Sequence, residues 1–288
     1  MTSPQGRTER PEARHQQVAR NIRNEIEAGR LVHGTALPST RKLAEEWGVS
    51  VFTITEAMKV LADEGLVINE SRSKRVVHAP DQLRRSEVRP ERPRVLLIGG
   101  YAGSGKTELG RILARETGWP MLDKDTLTRP VVEAALDTLG LSPNDRESQT
   151  YLTTIRPREY EALQDAASEN VQCGNSVVVT APFIREFGDP AWMARTRAFY
   201  EAANAAVTVV WVYCDADTML TYVRRRGAAR DGFKLADWPA YVGSINLDFR
   251  PVDAYVVVDN CASSRPLQEQ AKELVKGILA GEGLWRGV

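Results

Sequence analysis

The sequence predicts two domains of different class: an α+β winged helix-turn-helix at the N-terminal side, and an α/β P-loop domain on a parallel five-stranded sheet. Three observations predict it. Residues 13–79 carry three helical apolar patterns and then two short strands. Residues 80–93 form a charged segment punctuated by prolines. Beyond it, apolar runs of strand length alternate with helical segments, and the first leads directly into Gly100-Tyr101-Ala102-Gly103-Ser104-Gly105-Lys106-Thr107.

Residues 1–12 are polar and charged, the composition of a disordered tail. From Arg14 to Ala28, Val18, Ile22 and Ile26 recur every fourth residue, which predicts a helix stopped by Gly29. After Leu37-Pro38, Ser39 or Thr40 can cap a short helix to Trp47, with Leu43, Ala44 and Trp47 inward. Gly48 turns the chain, and Ser50 can cap a second helix, Val51 to Glu64, burying Ile54, Ala57, Met58 and Leu61. Gly65 ends it, and 66–68 and 75–77 read as a hairpin. In the second domain, strands are expected at 95–99, 120–122, 177–181, 207–214 and 254–259 with helices between them.

Bulk properties narrow the partners little. The 288 residues carry 38 Lys and Arg against 38 Asp and Glu, so no global charge favours nucleic acid. Residues 1–92 hold 16 basic against 13 acidic residues, a weak positive bias. Cys173, Cys214 and Cys261 have neither metal-site spacing nor a disulfide pattern and are expected to be reduced. The polar start is unlike a signal peptide, and no apolar run approaches the roughly 20 residues that span a bilayer. A cytoplasmic location is the expectation.

The glycine-rich stretch is suited to phosphate. Its glycines, Gly100, Gly103 and Gly105, let backbone N–H groups turn inward, and the following helix adds unpaired donors and positive dipole charge. Together with Ser104, Lys106 and Thr107 they are the expected nucleotide-binding residues: Lys106 reaches the β- and γ-phosphates, and Thr107 can hold Mg²⁺.

Residues 14–78 resemble the DNA-binding domain of the GntR family of bacterial transcription regulators. The resemblance is carried by Gln17-Val18-Ala19, Ile22 and Ile26, by Leu37-Pro38-Ser39-Thr40-Arg41-Lys42-Leu43-Ala44, by Gly48-Val49-Ser50, Thr53 and Ala57, and by Leu61-Ala62 with Glu64-Gly65-Leu66-Val67. It implies a recognition helix opened by Ser50 in a DNA major groove, with Thr53 and Thr55 in its first turns. Ser39, Arg41 and Lys59 are expected on phosphates or bases, and Arg72, Lys74 and Arg75 of the wing on the backbone or minor groove. Two departures stand out. Val51 and Thr55 occupy positions where the family often has arginine, and Ser71 and Ser73 replace wing glycines. Fewer recognition-helix arginines mean fewer guanine contacts, so the operator sequence does not carry over.

Residues 94–260 resemble small P-loop kinases of the chloramphenicol phosphotransferase, gluconate kinase and zeta-toxin type. The resemblance rests on the early P-loop, on Leu122-Asp123-Lys124-Asp125, on a third strand ending in Ala181-Pro182-Phe183, and on Arg224-Arg225-Arg226 through Arg230-Asp231. It implies that Asp125 orients or deprotonates an acceptor hydroxyl, with Asp123 supporting it or holding Mg²⁺ beside Thr107. An N-cap for the next helix is the alternative role for Asp125. Arg226 and Arg230 resemble lid arginines, Arg230 acting on the transferred phosphoryl group with Lys106. The third strand lacks the aspartate that often holds Mg²⁺, and residues 126–175, with Arg129, Arg156 and Arg158, are the expected acceptor region.

Together these readings imply a transcription regulator, with repression the expected mode. It would bind double-stranded operator DNA as a homodimer or higher homo-oligomer, with ATP or another nucleoside triphosphate and Mg²⁺ sensed as effector. The alternative is an ATP-dependent small-molecule kinase, with DNA binding as autoregulation.

Overall fold

The computed structural model describes residues 13–27, 31–71, 74–79, 92–227 and 231–280, except the side chain of Arg226. The expected tail 1–12, residues 80–91 of the expected linker, and Arg72 and Arg230 lie outside the described residues. The chain divides into two compact units, Met1–Glu91 and Arg92–Val288.

In the first unit, α1 (Arg14–Glu27) buries Val18, Ala19, Ile22 and Ile26. Helix α2 (Thr40–Glu46) begins where the Ser39 hydroxyl accepts the Lys42 amide, and α3 (Val51–Asp63) where Ser50 accepts the Thr53 amide at 3.1 Å. Both caps satisfy donors that helix geometry leaves unpaired. Ile54, Ala57, Met58 and Leu61 form one face of α3 and close the core with Leu43, Ala44 and the α1 residues.

The hairpin pairs β1 (Val67–Asn69) antiparallel to β2 (Arg75–Val77), and a bridge from Ala36 to Val76 adds a third edge. The strand starts at Val67 rather than at the expected Leu66, and the cause is local. Gly65, at φ +72°, ends α3 in a left-handed turn, so the Leu66 amide bonds back to the Leu61 carbonyl at 2.9 Å.

The second unit is a parallel sheet with helices on both faces. Its strands are β3 (Arg94–Gly99), β4 (Met121–Asp123), β5 (Val177–Thr180), β6 (Ala206–Tyr213) and β7 (Tyr255–Asp259), in the order β4-β5-β3-β6-β7. All four pairings are parallel. Along each inner strand alternate residues face opposite cores. Val95, Leu97, Val177, Val179, Val209 and Trp211 share one core, and Leu96, Ile98, Val178, Val210 and Val212 share the other. This two-sided burial is why the strands are apolar without alternation.

The helices are α4 (Lys106–Thr117), α5 (Lys124–Thr138), a π-turn (Tyr151–Ile155) running into α6 (Arg156–Gln172), α7 (Ile184–Phe187), α8 (Pro190–Ala202), α9 (Ala216–Arg226), α10 (Gly232–Ala236), α11 (Trp238–Ser244) and α12 (Leu267–Ala280). Leu109 and Leu113 of α4 pack with Ala271, Leu274 and Ile278 of α12 on one face, while Leu163, Ala167 and Val171 of α6 cover the other. Arg92 and Pro93, expected in the linker, belong to this unit: Arg92 pairs with Glu201, and the Pro93 carbonyl accepts the Ala206 amide. Central β3 has β5 on one side and β6 on the other, so its carboxyl end opens at the switch point where such sheets bind ligands. Among the described residues, no helix is long and apolar enough to cross a membrane.

Candidate functional site

The loop after β3 is shaped by glycines that no other residue could replace without rearrangement. Gly103 and Gly105 have φ of +83° and +92°. A Cβ on Gly103 would lie 2.8 Å from the Met219 carbonyl oxygen and 2.7 Å from Val223, both on α9. A Cβ on Gly105 would overlap the Asn260 amide, which donates to the Ser104 carbonyl at 2.9 Å. The loop is therefore clamped between α9 and the residue following β7. Lys106 reaches the Tyr101 carbonyl at 3.4 Å across the loop, and Ser104 Oγ is buried with no hydrogen-bond partner among the described residues. A buried hydroxyl of that kind favours an added polar ligand.

The loop opens into a cleft of about 760 Å³, lined among others by Gly103, Gly105, Lys106, Thr107, Asp123, Asp125, Arg129, Thr180, Arg225 and Asn260. Of the expected site residues, Lys106, Thr107, Asp123 and Asp125 thus meet at one cleft. The backbone of Arg226 ends α9, but its side chain and all of Arg230 are outside the described residues; Arg225, from the same run, lines the cleft.

The carboxylates divide their work differently from the N-cap alternative for Asp125. Asp123 is the cap of α5: its Oδ1 accepts the Thr126 amide at 3.0 Å. Its Oδ2 accepts the hydroxyls of Thr107 at 3.2 Å and Thr180 at 2.7 Å. Asp125 sits in the first turn of α5, partly exposed to the cleft. Beside it, Lys124 Nζ lies 3.1 Å from Asp125 Oδ1 and 2.6 Å from Glu159 Oε1, with both Lys124 and Glu159 buried. Thr128 and Tyr151 also donate to Glu159, at 2.9 and 2.7 Å. Burial, reinforced by the Glu159 carboxylate, pushes the Tyr151 hydroxyl well above its ordinary range, so it stays a donor. Arg156, expected near an acceptor, is committed to buried Glu186 at 2.7 Å and stacks 4.3 Å from the Tyr160 ring. Arg158 pairs with Glu161 at the surface.

Sequence reasoning missed Thr180, Asn260 and the role of Lys124. Thr180 stands where a third-strand aspartate was looked for; a hydroxyl ending an all-apolar strand was the available signal. Lys124 lay in the quoted motif, but its burial is a tertiary fact.

In the first unit, Ser39 and Ser50 spend their hydroxyls on caps, although both side chains are exposed. Thr53 Oγ1 lies 2.8 Å from Ser50 Oγ, and Thr55 donates to the Val51 carbonyl at 2.9 Å. Arg41 is exposed on α2, Lys59 pairs with Glu56 at 2.7 Å, Lys74 with Glu70 at 2.5 Å, and Arg75 donates to Thr40 at 2.8 Å.

The first unit is a winged helix, and the second a kinase-like P-loop α/β domain. The chain belongs to the family described as AAA domain, which matches residues 95–241, and residues 14–77 match the gntR family of bacterial regulatory proteins. It is similar to a shikimate kinase of Moorella thermoacetica, 28% identical over 107 residues, covering 35% of this chain and 58% of that protein. It is also similar to a cytidylate kinase of Azotobacter vinelandii, 32% identical over 126 residues, covering 38% of this chain and 53% of the other. The matches thus span little more than half the length of these curated relatives. Among solved structures, YtrA from Sulfolobus acidocaldarius, a GntR-family transcription factor, is 31% identical, with a TM-score of 0.23, covering 28% of this chain and 87% of that one.

Proposed function

We propose that this chain is a DNA-binding transcription regulator whose P-loop unit binds ATP, or another nucleoside triphosphate with Mg²⁺, as effector. The observation that carries the reading is a clamped phosphate cradle on the same chain as a gntR-family winged helix. The cradle suits the triphosphate. Gly103 and Gly105 leave space that a Cβ would fill, Ser104 Oγ is buried without a partner among the described residues, and Lys106 supplies a cation. Thr107 and Asp123 are oxygen donors of the hard type Mg²⁺ requires, with Thr180 holding Asp123 in place. When bound, the metal would neutralise phosphate charge. Arg129 and Arg225 would meet the anionic ligand from the rim, with Arg226 and Arg230 as lid arginines. On the winged helix, Ser39, Arg41, Ser50, Thr53, Thr55, Lys59, Arg72, Lys74 and Arg75 remain the proposed DNA-facing residues. The working form would be a cytoplasmic homodimer on a palindromic operator.

The test measures affinity for DNA from upstream of the chain's own coding region without nucleotide, with ATP and with ADP, using wild type and Lys106→Ala. A nucleotide effect of about tenfold that is absent in Lys106→Ala is expected, equivalent to about 1.4 kcal/mol of coupling. Equal affinity in every arm would remove the effector role.

A second reading has its own support. Asp125 lines the cleft without serving as the helix cap, as a general base for an acceptor hydroxyl would. In that reading the chain phosphorylates a small hydroxylated molecule, Asp125 taking the proton as the hydroxyl oxygen bonds to the γ-phosphorus and ADP leaves. Acceptor-dependent ATP consumption abolished in Asp125→Asn, across a panel of hydroxylated metabolites, would establish it.

A further inference from the structure

The first turn of α3 is apolar where a DNA-reading helix presents base contacts. Phe52 is 73% exposed and Val51 49% exposed, while the core side of α3 is already filled by Ile54, Ala57, Met58 and Leu61. Among the described residues no packing within the unit calls for a large ring there, and an exposed phenylalanine regains its hydrophobic free energy only against a partner. The neighbouring hydroxyls are committed locally. Ser50 accepts the Thr53 amide, Ser50 and Thr53 share a hydrogen bond, and Thr55 donates to the Val51 carbonyl. What these turns offer a base edge is chiefly carbon.

In the major groove, among the four bases, thymine presents a methyl group; guanine, adenine and cytosine present lone pairs and N–H groups there. Covering those polar edges with a phenyl ring would desolvate them without replacement, which is unfavourable. Covering a methyl group removes apolar area from water on both sides. The surroundings favour a polyanion over a second apolar protein surface: Arg41 on α2 is exposed, and although Lys42 pairs with Glu46 and Lys59 with Glu56, both lysine side chains remain exposed beside the patch.

We infer that α3 reads its operator through thymine methyl groups packed against Phe52 and Val51, selecting A·T pairs where an arginine at position 51 would select guanine. The inference rests on the DNA-binding reading proposed above and adds the base it prefers and the side chains that choose it.

The experiment selects duplexes from a random library with the full chain, with and without ATP and Mg²⁺. Each thymine of the enriched duplex is then replaced in turn by uracil, which deletes the methyl group and leaves the pairing edge intact. Affinities are measured for wild type, Phe52→Ala and Phe52→Leu. Wild type is expected to bind about fourfold more weakly for each contacted methyl removed, the factor given by about 0.8 kcal/mol per buried carbon group. Phe52→Ala should lose most of the difference at the methyl groups packed on Phe52 while those on Val51 keep theirs, and Phe52→Leu should keep part of it throughout. An enriched duplex indifferent to uracil everywhere, or a Phe52→Ala variant that keeps the full preference at every thymine, overturns the inference and leaves the DNA-binding reading standing. Intact DNA affinity with a changed oligomeric state in Phe52→Ala assigns the patch to a second copy and overturns it too. Failure to enrich any duplex, with or without nucleotide, overturns the DNA-binding reading and the inference together.

Discussion

The loop at residues 100–107 and the start of α3 are the two proposed contact surfaces, and they are built from opposite materials. The loop is backbone: its glycines are pressed against α9 and Asn260, so the shape that meets a ligand is inseparable from the packing that makes it. The α3 surface is side chain: Val51 and Phe52 stand clear of the core, and their exchange leaves Ile54, Ala57, Met58 and Leu61 in place. A backbone-built surface tolerates few sequences and therefore announces itself as a motif. A side-chain surface on a frame fixed by its buried face is free to vary, so its frame is readable while its preference must be worked out residue by residue.

The contrast is sharpened by substitutions of decreasing size. The largest effect is expected beside the cleft, where Lys124→Ala strands the buried Glu159 carboxylate. A loss of about 3–5 kcal/mol in urea unfolding is expected, and an unchanged midpoint would show that the network does not support the fold. Gly105→Ala imposes a left-handed backbone on a residue with a Cβ and displaces Asn260. It should cost about 1–3 kcal/mol of stability and weaken ATP binding by calorimetry; retention of both would break the contrast at its strongest point. Lys106→Ala should leave unfolding unchanged while costing about 1.5–3 kcal/mol of nucleotide affinity, the range for a charged hydrogen bond.

Smaller effects are expected further from the loop. Asp215 caps α9, and hydrogen bonds from the Thr218 amide, Cys261 and the Thr218 hydroxyl hold its carboxyl below the usual carboxylate range. A depressed folded-state value means that its stabilisation is present above the ordinary aspartate range and is lost as pH falls through the folded-state value. Asp215→Ala should therefore be about 1 kcal/mol less stable than wild type at pH 7, with the gap closing in acid. On the winged helix, Arg41→Ala should leave the melting temperature unchanged and flatten the salt dependence of DNA binding by about one unit of slope if Arg41 meets a phosphate. An unaltered slope would take Arg41 out of the interface.

The architecture was legible because periodicity and burial coincide. Valine-rich strands buried on two faces have no polar alternation, and the caps Ser39 and Ser50 stand beside helices whose apolar spacing is regular. Boundaries moved where an amide had another partner, as at Leu66, whose N–H closes the end of α3. Within the cleft, Lys106, Thr107, Asp123 and Asp125 were recognisable because they sit in short local motifs. Thr180 and Asn260 were not, since their partners Asp123 and Ser104 lie 57 and 156 residues away in sequence. The sequence offered the cap as the alternative role of Asp125, and it falls two residues earlier, at Asp123. The backbone at Asp123, extended at φ −98° and ψ 125°, decides it.

Asp123 holds together parts that most sites keep separate. One oxygen fastens the start of α5, and the other joins the first turn of α4 to the tip of β5. A rigid carboxylate of this kind behaves as a rivet through three plates: α5 cannot rotate about its first turn without tugging Thr107, and Thr107 cannot turn toward a new partner without loosening α5. Asp125 and Lys124 ride on that same first turn, so any tilt at one wall of the cleft is geared to the other.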